Sequence, residues 1–261
     1  MKKLFLITIV SIIALTTLSF TAGDGIALRL NPQKGKVYTI TSKTIQTTVM
    51  KVQGQSMRSN QTVEARQSFS VKEVSTDKNV FNTKIEAIKM TVSMMGMNLT
   101  YDSDHPENNS PMLADQTNEI DKIINKTVTV TYDKLGHNAK PDDVEMSQLN
   151  NVIIELPNYE LSVGSQWTNK KNQNISDIDM NVSMTYTVTG ISKKGVDVSF
   201  TGTIDSKDIT GGYNGTSTID LQTGIVMSCT TNNSLSLTVT EQGLEIPMTI
   251  TGTSTITVRE K

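Results

Sequence analysis

The sequence predicts a mostly β protein whose strands pair antiparallel within one domain, and three observations carry that prediction. Thr supplies 37 of the 261 residues, whereas Phe, Trp and Tyr together make up 5%; β-branched Thr fits a half-buried pleated surface. Long stretches alternate with period two, which turns one face of a strand to a core and the other to water. Gly, Asn and Asp pairs punctuate these stretches, and such short connections join antiparallel neighbours. At 36% hydrophobic and 19% charged, the chain is long enough for a sizeable core. The formal charge of −2 with no basic run argues against a nucleic-acid partner.

The elements follow in order. Lys2 and Lys3 precede an apolar run, Leu4 to Leu18, and small residues at Ser19, Thr21, Ala22 and Gly23 come next. That is the layout of a secretory signal peptide over residues 1–23, cleaved near Ala22 or Gly23. No Cys follows the run to be acylated, the only Cys being Cys229, and no second apolar run reaches membrane-spanning length. The mature chain is therefore expected to be exported and soluble, in the periplasm or outside the cell. Strand patterns then cover Val37–Val52, Thr62–Val74, Val80–Met94, Thr127–Tyr132, Met180–Thr189, Val196–Ile204, Gly215–Leu221, Ile225–Thr240 and Leu244–Arg259. Hairpin signals stand at Gly211-Gly212, Asn214-Gly215 and Gln242-Gly243.

One region departs from the alternation. Tyr101–Pro111 is polar and turn-rich; after it Met112, Leu113, Ile120, Ile123 and Ile124 recur at roughly helical spacing. This predicts a helix over Pro111–Asn125 with Ser110 as its N-cap and Pro111 at its first position. A second, weaker helix is expected over Val144–Ile153, capped by Asp142 or Asp143. The two halves of the chain also echo each other, at about 33–142 and 162–261. Gly35-Lys36-Val37-Tyr38 is matched by Gly164-Ser165-Gln166-Trp167, and Phe69–Val74 by Tyr186–Ile191. With no Pro/Gly/Ser-rich linker between the halves, a single domain over residues 24–261 is expected.

Residues able to do chemistry are few. No Gly-x-Ser-x-Gly elbow, His-Glu-x-x-His, phosphate loop or Cys-x-x-Cys occurs. Two His and one Cys leave little material for a zinc site or a disulfide, and Cys229 reads as a small hydrophobe. His137 reads as a turn residue. The Asp102-Ser103-Asp104-His105 cluster concentrates oxygen ligands but is equally good turn material. No catalytic group, metal or cofactor is assigned, and an enzyme is the least supported class. Methionine is more informative: Met90, Met94, Met95 and Met97 cluster before the polar loop, with Met112, Met180, Met184 and Met248 elsewhere. Thioether side chains fill irregular cores and also line adaptable apolar cavities.

A set of short motifs in one order carries a resemblance. It comprises Gly35-x-x-Tyr38, Tyr101-Asp102-Ser103, Leu156-Pro157, Val163–Trp167, Asp220 with Thr223-Gly224, and Ile246-Pro247-Met248. Together they resemble an exported bacterial family of unknown function, domain of unknown function 6263. Many of its members are lipoproteins, and none of its residues is assigned to catalysis. A wider similarity, to periplasmic lipid and lipoprotein carriers, implies a strongly curved antiparallel sheet, an incomplete barrel of two similar halves, with one or two short helices against the concave face. The resulting expectation is a non-catalytic binding protein for a lipid or lipoprotein, with Met94, Met97, Leu113, Ile120 and Ile124 as the ligand-lining residues. The alternative is a structural or protein-interaction component of the cell envelope.

Overall fold

The computed structural model describes residues 25–52, 54–138, 152–175, 178–207, 209–241 and 244–261. The signal peptide, residues 144–151 of the second expected helix with both of its candidate caps, and Gln242-Gly243 lie outside them.

Eleven strands form one antiparallel sheet. They are β1 (Val37–Val52), β2 (Gln55–Val74), β3 (Lys78–Met94), β4 (Met97–Asp102), β5 (Thr127–Asp133), β6 (Gln166–Ile175), β7 (Ile178–Ile191), β8 (Gly195–Asp205), β9 (Ile209–Asp220), β10 (Val226–Glu241) and β11 (Leu244–Glu260). The spatial order is β4-β3-β2-β1-β11-β10-β9-β8-β7-β6, with β5 on the same edge of β3 as β4 but at its other end. The sheet stays open: β6 forms one edge, and β4 and β5 share the other. The first and last strands, β1 and β11, pair at its centre over Tyr38–Met50. Each hairpin joining β1 to β2, β3 to β4, β6 to β7, β8 to β9 and β10 to β11 turns at one end, called here the tip.

The registers assign every strand residue to a face. Tyr38 and Ile40 of β1 stand opposite Phe69 and Gln67 of β2 and, on the other side, Glu260 and Val258 of β11. This inner parity carries the core. On β3 it includes Phe81, Thr83 and Ile85, and then shifts to Ile88, Met90, Val92 and Met94. The shift is a β-bulge at Glu86, which sets Arg66 opposite Ala87 and Gln67 opposite Ile85. A one-residue insertion inverts the facing of all that follows, so the bulge keeps both apolar halves of β3 inward.

One core cluster runs from Phe81, Val128 and Val130 at one edge of the sheet, through Ile40, Val258 and Ile219, to Trp167 and Tyr186 at the other. The sheet curls toward its inner face, because two adjacent residues reach both edges: the Leu156 N–H donates to Leu135 O, just past β5, at 2.7 Å, and the Glu155 carbonyl accepts from Trp167 on β6. Two straps close the base end. The first, residues 25–31, pairs Ile26 with Leu161 and buries Leu28 and Leu30. Its Leu30 N–H donates to Lys134 O at 2.8 Å, its Leu30 carbonyl accepts from Asn79 Nδ2 at 2.8 Å, and its Asn31 N–H donates to Thr223 O at 2.8 Å. The second, residues 152–161, buries Val152, Leu156 and Leu161, and the carbonyl of its Glu155 accepts from Trp167 Nε1 at 2.9 Å. Asn79, fully buried, is thus a spacer whose amide ties β3 to a strap.

The turn after β9 makes the tightest strap contact. Gly224 has φ +70, and a Cβ there would run into the carbonyl of Arg29. Gly224→Ala is therefore expected to destabilise the fold by about 1–3 kcal/mol, from left-handed backbone strain and a displaced strap. Urea unfolding measures this; an unchanged midpoint would refute the strap's tight seating.

Some expectations need correction. Gly211-Gly212 and Asn214-Gly215 lie within β9, and the hairpin turns instead at Ser206, whose Oγ accepts from the Ile209 N–H at 2.8 Å. Those glycines serve packing: Phe200 on β8 lies over Gly215, and Leu235 on β10 lies against Gly211. Strands β4 and β6 were not anticipated. The polar composition of β6, Gln-Trp-Thr-Asn-Lys-Lys-Asn-Gln-Asn-Ile, suits an exposed edge more than a core strand. The expected single helix is a one-turn 3-10 segment, Pro111–Leu113, followed by helix α1, Ala114–Ile123. Ser110 does not cap it with its side chain; Ser110 Oγ accepts instead from the Thr100 N–H at 2.9 Å.

Candidate functional site

Beyond the core, the inner face continues toward the tip. The inner positions of β1 there are Ser42, Thr44, Gln46, Thr48 and Met50, and those of β2 are Met57, Ser59, Gln61, Val63 and Ala65. On β11 they are Met248, Ile250, Gly252 and Ser254, and on β10 Thr231, Asn233, Leu235, Leu237 and Val239. On β9 they are Ile209, Gly211, Tyr213 and Gly215. From the Ile40 row to these tip positions, the described inner side chains of β1–β4 and β7–β11 include no Asp, Glu, Lys or Arg. Most are half-buried, and Val239 is 39% exposed.

Helix α1 covers one flank of this face. Leu113, 4% exposed, packs with Met90 and Tyr101, and Val63, Val92, Leu99, Ile120 and Ile124 surround them. All the strand members of this group are inner-face residues. Three contacts hold the helix there. Tyr101 Oη donates to Asp121 Oδ1 at 2.6 Å, Ile124 forms a parallel bridge to Ile85, and the Asn125 N–H donates to Ile85 O at 2.8 Å. Burial and the Asp121 carboxylate together push the Tyr101 phenol well above its ordinary range, so it stays a donor. Tyr101→Phe removes this anchor at an expected cost of about 1 kcal/mol. Faster hydrogen exchange in α1, with the β-core amides unaffected, is the expected readout.

Of the predicted lining residues, Leu113, Ile120 and Ile124 come together under the helix. Met94 is half-buried on the same face, two positions toward the tip from Val92. Met97 pairs with Met94 across the Met95-Gly96 turn and is 43% exposed, at the rim rather than within the cluster. Both turn residues have positive φ, +52 and +79, the backbone that a two-residue hairpin with matching twist needs. Met112, expected to point inward, is 66% exposed, because the 3-10 turn sends Leu113 to the sheet and Met112 away from it. Sequence reading missed Leu235, Leu237, Ile250, Met248, Met50 and Met57. Their signal was the alternation Leu235-x-Leu237-x-Val239 and Ile246-x-Met248-x-Ile250, legible along each strand but silent about which strands are neighbours.

The charged groups collect on the outer face. A cleft of about 540 Å³ lies between β1–β3, β11 and the Asp102–His105 loop. Lys43 pairs with Glu64 at 2.9 Å, Arg66 with Asp104 at 3.3 Å and Lys89 with Asp102 at 3.0 Å. Asp102 and Asp104 thus pin a loop, and among the described residues no group of three or more His, Cys, Asp or Glu is placed to hold a metal. Hydrogen bonding from Lys89 holds the Asp102 carboxyl below its ordinary 3.8, so its stabilisation is present above about pH 4 and fades as pH falls through the lowered value. Asp102→Asn is expected to remove that part of the acid sensitivity, measured as the pH dependence of the unfolding midpoint below about pH 4. Cys229 is half-buried on the inner parity, with Thr231 Oγ1 3.5 Å from its sulfur, and burial pushes its thiol up. A second cleft, about 440 Å³, sits beside edge strand β6 between Trp167, Tyr159 and Thr185.

Among the described residues no helix is long and apolar enough to cross a membrane. No curated protein matches the sequence. A solved structure titled "Lipid-protein interactions in lipovitellin" superposes with a TM-score of 0.51 at 13% identity, over 87% of this chain and 25% of that one. This chain therefore spans a quarter of that protein's length, and the likeness is one of fold. An outer membrane channel from Pseudomonas putida F1 aligns at TM-score 0.26 and 10% identity, over 91% of this chain and 98% of its own. A putative outer membrane lipoprotein-sorting protein domain from Vibrio parahaemolyticus aligns at 0.16 and 10%, over 85% of each. Neither superposition is close enough to carry an argument. Residues 142–259, the stretch that holds β6–β10 and nearly all of β11, match the model described as "Family of unknown function (DUF6263)".

Proposed function

We propose that this chain is an exported, non-catalytic binding protein that holds an apolar ligand, a lipid, on the tip half of its inner face beside helix α1. The observation that supports this reading most is the charge-free inner surface. A half-buried sheet face with apolar side chains and no ion is adapted to apolar matter rather than to water. Methionines at its rim, Met50, Met57, Met94, Met97 and Met248, add a surface that reshapes around different chains at little cost. The solved structure that shares this fold is described in terms of lipid–protein interactions in lipovitellin, which supports the same reading.

The test is uptake of pyrene by delipidated protein, followed by fluorescence. Saturable one-to-one binding is expected, and its absence would overturn the reading. A protein-interaction role in the envelope is the competing view; it draws on the cleft beside edge strand β6 and predicts that substitutions at Thr168 and Tyr159 abolish partner capture while pyrene uptake persists.

A further inference from the structure

Resting on that reading, we infer that the ligand class is an electroneutral acyl ester or amide, and that a free fatty acid or a cationic amphiphile is discriminated against. The inner face is not uniformly apolar. Between the core and the tip runs a belt of uncharged hydrogen-bonding side chains: Gln61 on β2, Gln46 on β1, Asn233 on β10 and Tyr213 on β9. The register places them in one row, Gln61 opposite Gln46, Gln46 opposite Gly252, Gly252 opposite Asn233, and Asn233 opposite Tyr213. Thr44, Ser254 and Thr231 form the adjoining row toward the core.

Apolar side chains bound the belt on both sides. Met57, Met50, Met248, Leu237 and Ile209 stand toward the tip, and Ile40, Val258 and Ile256 toward the base. Gly252 leaves the space that Asn233 fills, since a Cβ there would lie 2.8 Å from Asn233 Oδ1. The amides are held in weak bonds. Gln61 Nε2 donates to the Met90 sulfur at 3.0 Å, and Gln46 Nε2 to Thr48 Oγ1 at 3.4 Å, near the limit of a hydrogen bond. A ligand carbonyl is a better acceptor than a thioether, so exchanging partners costs little.

The belt offers amide donors and acceptors and no counter-charge. An ester or amide carbonyl is satisfied there, whereas a carboxylate or ammonium ion loses water without gaining a partner of opposite sign. At the margins of this surface the sheet carries Lys171 on edge strand β6, paired with Glu155 at 2.8 Å, and Glu241 at the tip end of β10, in register with Leu244. Asp121 approaches from the helix and accepts the Tyr101 hydrogen bond.

Displacement of bound pyrene by methyl palmitate, palmitamide, palmitate and hexadecyltrimethylammonium tests this. At about pH 8 the ester and amide are expected to bind at least about tenfold tighter than palmitate or the ammonium; at about pH 4, where the carboxylic acid is largely neutral, palmitate should approach the ester. Circular dichroism at both values shows that the fold persists. Gln46→Leu/Gln61→Leu/Asn233→Leu, with Gln61→Leu alone as a milder variant, should weaken methyl palmitate while leaving pyrene binding intact. Palmitate bound as tightly as the ester at about pH 8, or an ester affinity untouched by the belt variants, would overturn the inference and leave the binding role standing. Failure of pyrene and all four ligands to bind would remove both.

Discussion

Phe81→Ala is expected to lower the unfolding free energy by about 3–5 kcal/mol, the largest stability effect foreseen for a single substitution. Phe81 is 0% exposed, its ring stacks on Phe69 with centroids 4.3 Å apart, and Tyr132 meets it edge-on at 5.9 Å. Those three rings belong to β3, β2 and β5, so the truncation opens a cavity where three strands converge. The neighbours cannot collapse into it without breaking backbone pairing on both edges of β3. Urea unfolding should show a lower midpoint at an unchanged slope, and Phe81→Leu should recover more than half of the loss. A cost below about 1.5 kcal/mol would mean that the aromatic cluster does not organise this end of the sheet.

Leu235→Lys is expected to weaken apolar ligand binding by about tenfold to a hundredfold while changing stability by no more than about 1 kcal/mol. Leu235 is half-buried on β10, opposite Ile250 on one side and Gly211 on the other, within the charge-free surface. Because it lies outside the core cluster, a long side chain can turn its ammonium to water in the free protein. With ligand on the face, that escape closes and the charge must be desolvated. Thr251→Lys on the same sheet is the control: Thr251 is exposed on the outer parity and pairs with Ser234 and Thr47. Pyrene titration of the two variants should separate them, and equal affinities would place the ligand elsewhere.

Strand content, the apolar alternation and the helical interruption after Tyr101 were legible because each depends on residues close in the chain. The Thr of β11 shows how directly. Thr249, Thr251, Thr253, Thr255 and Thr257 all fall on its exposed parity, and Ile250, Ile256 and Val258 on the inner one. Leu113, Ile120 and Ile124 were legible as a face for the same reason. The bulge at Glu86 was not, because an inserted residue reads as continued alternation unless the partner strand is known. Hairpin glycines misled within β9, where Gly211 and Gly215 make room for Leu235 and Phe200 instead of turning the chain.

The sequence by itself determined that this chain is a sheet-forming protein with one wet and one apolar face, and that a helix rests its apolar side on something. Side-chain periodicity is a local property, so it survives translation into text. Tertiary structure alone decided that β1 pairs with β11, that two straps close one end, and that Gln46, Gln61 and Asn233 share a row. These residues are up to 187 positions apart, and they meet through backbone hydrogen bonds whose donors and acceptors are the same in every residue except proline. Such bonds carry no residue code, and register is chosen by the summed burial of a whole face.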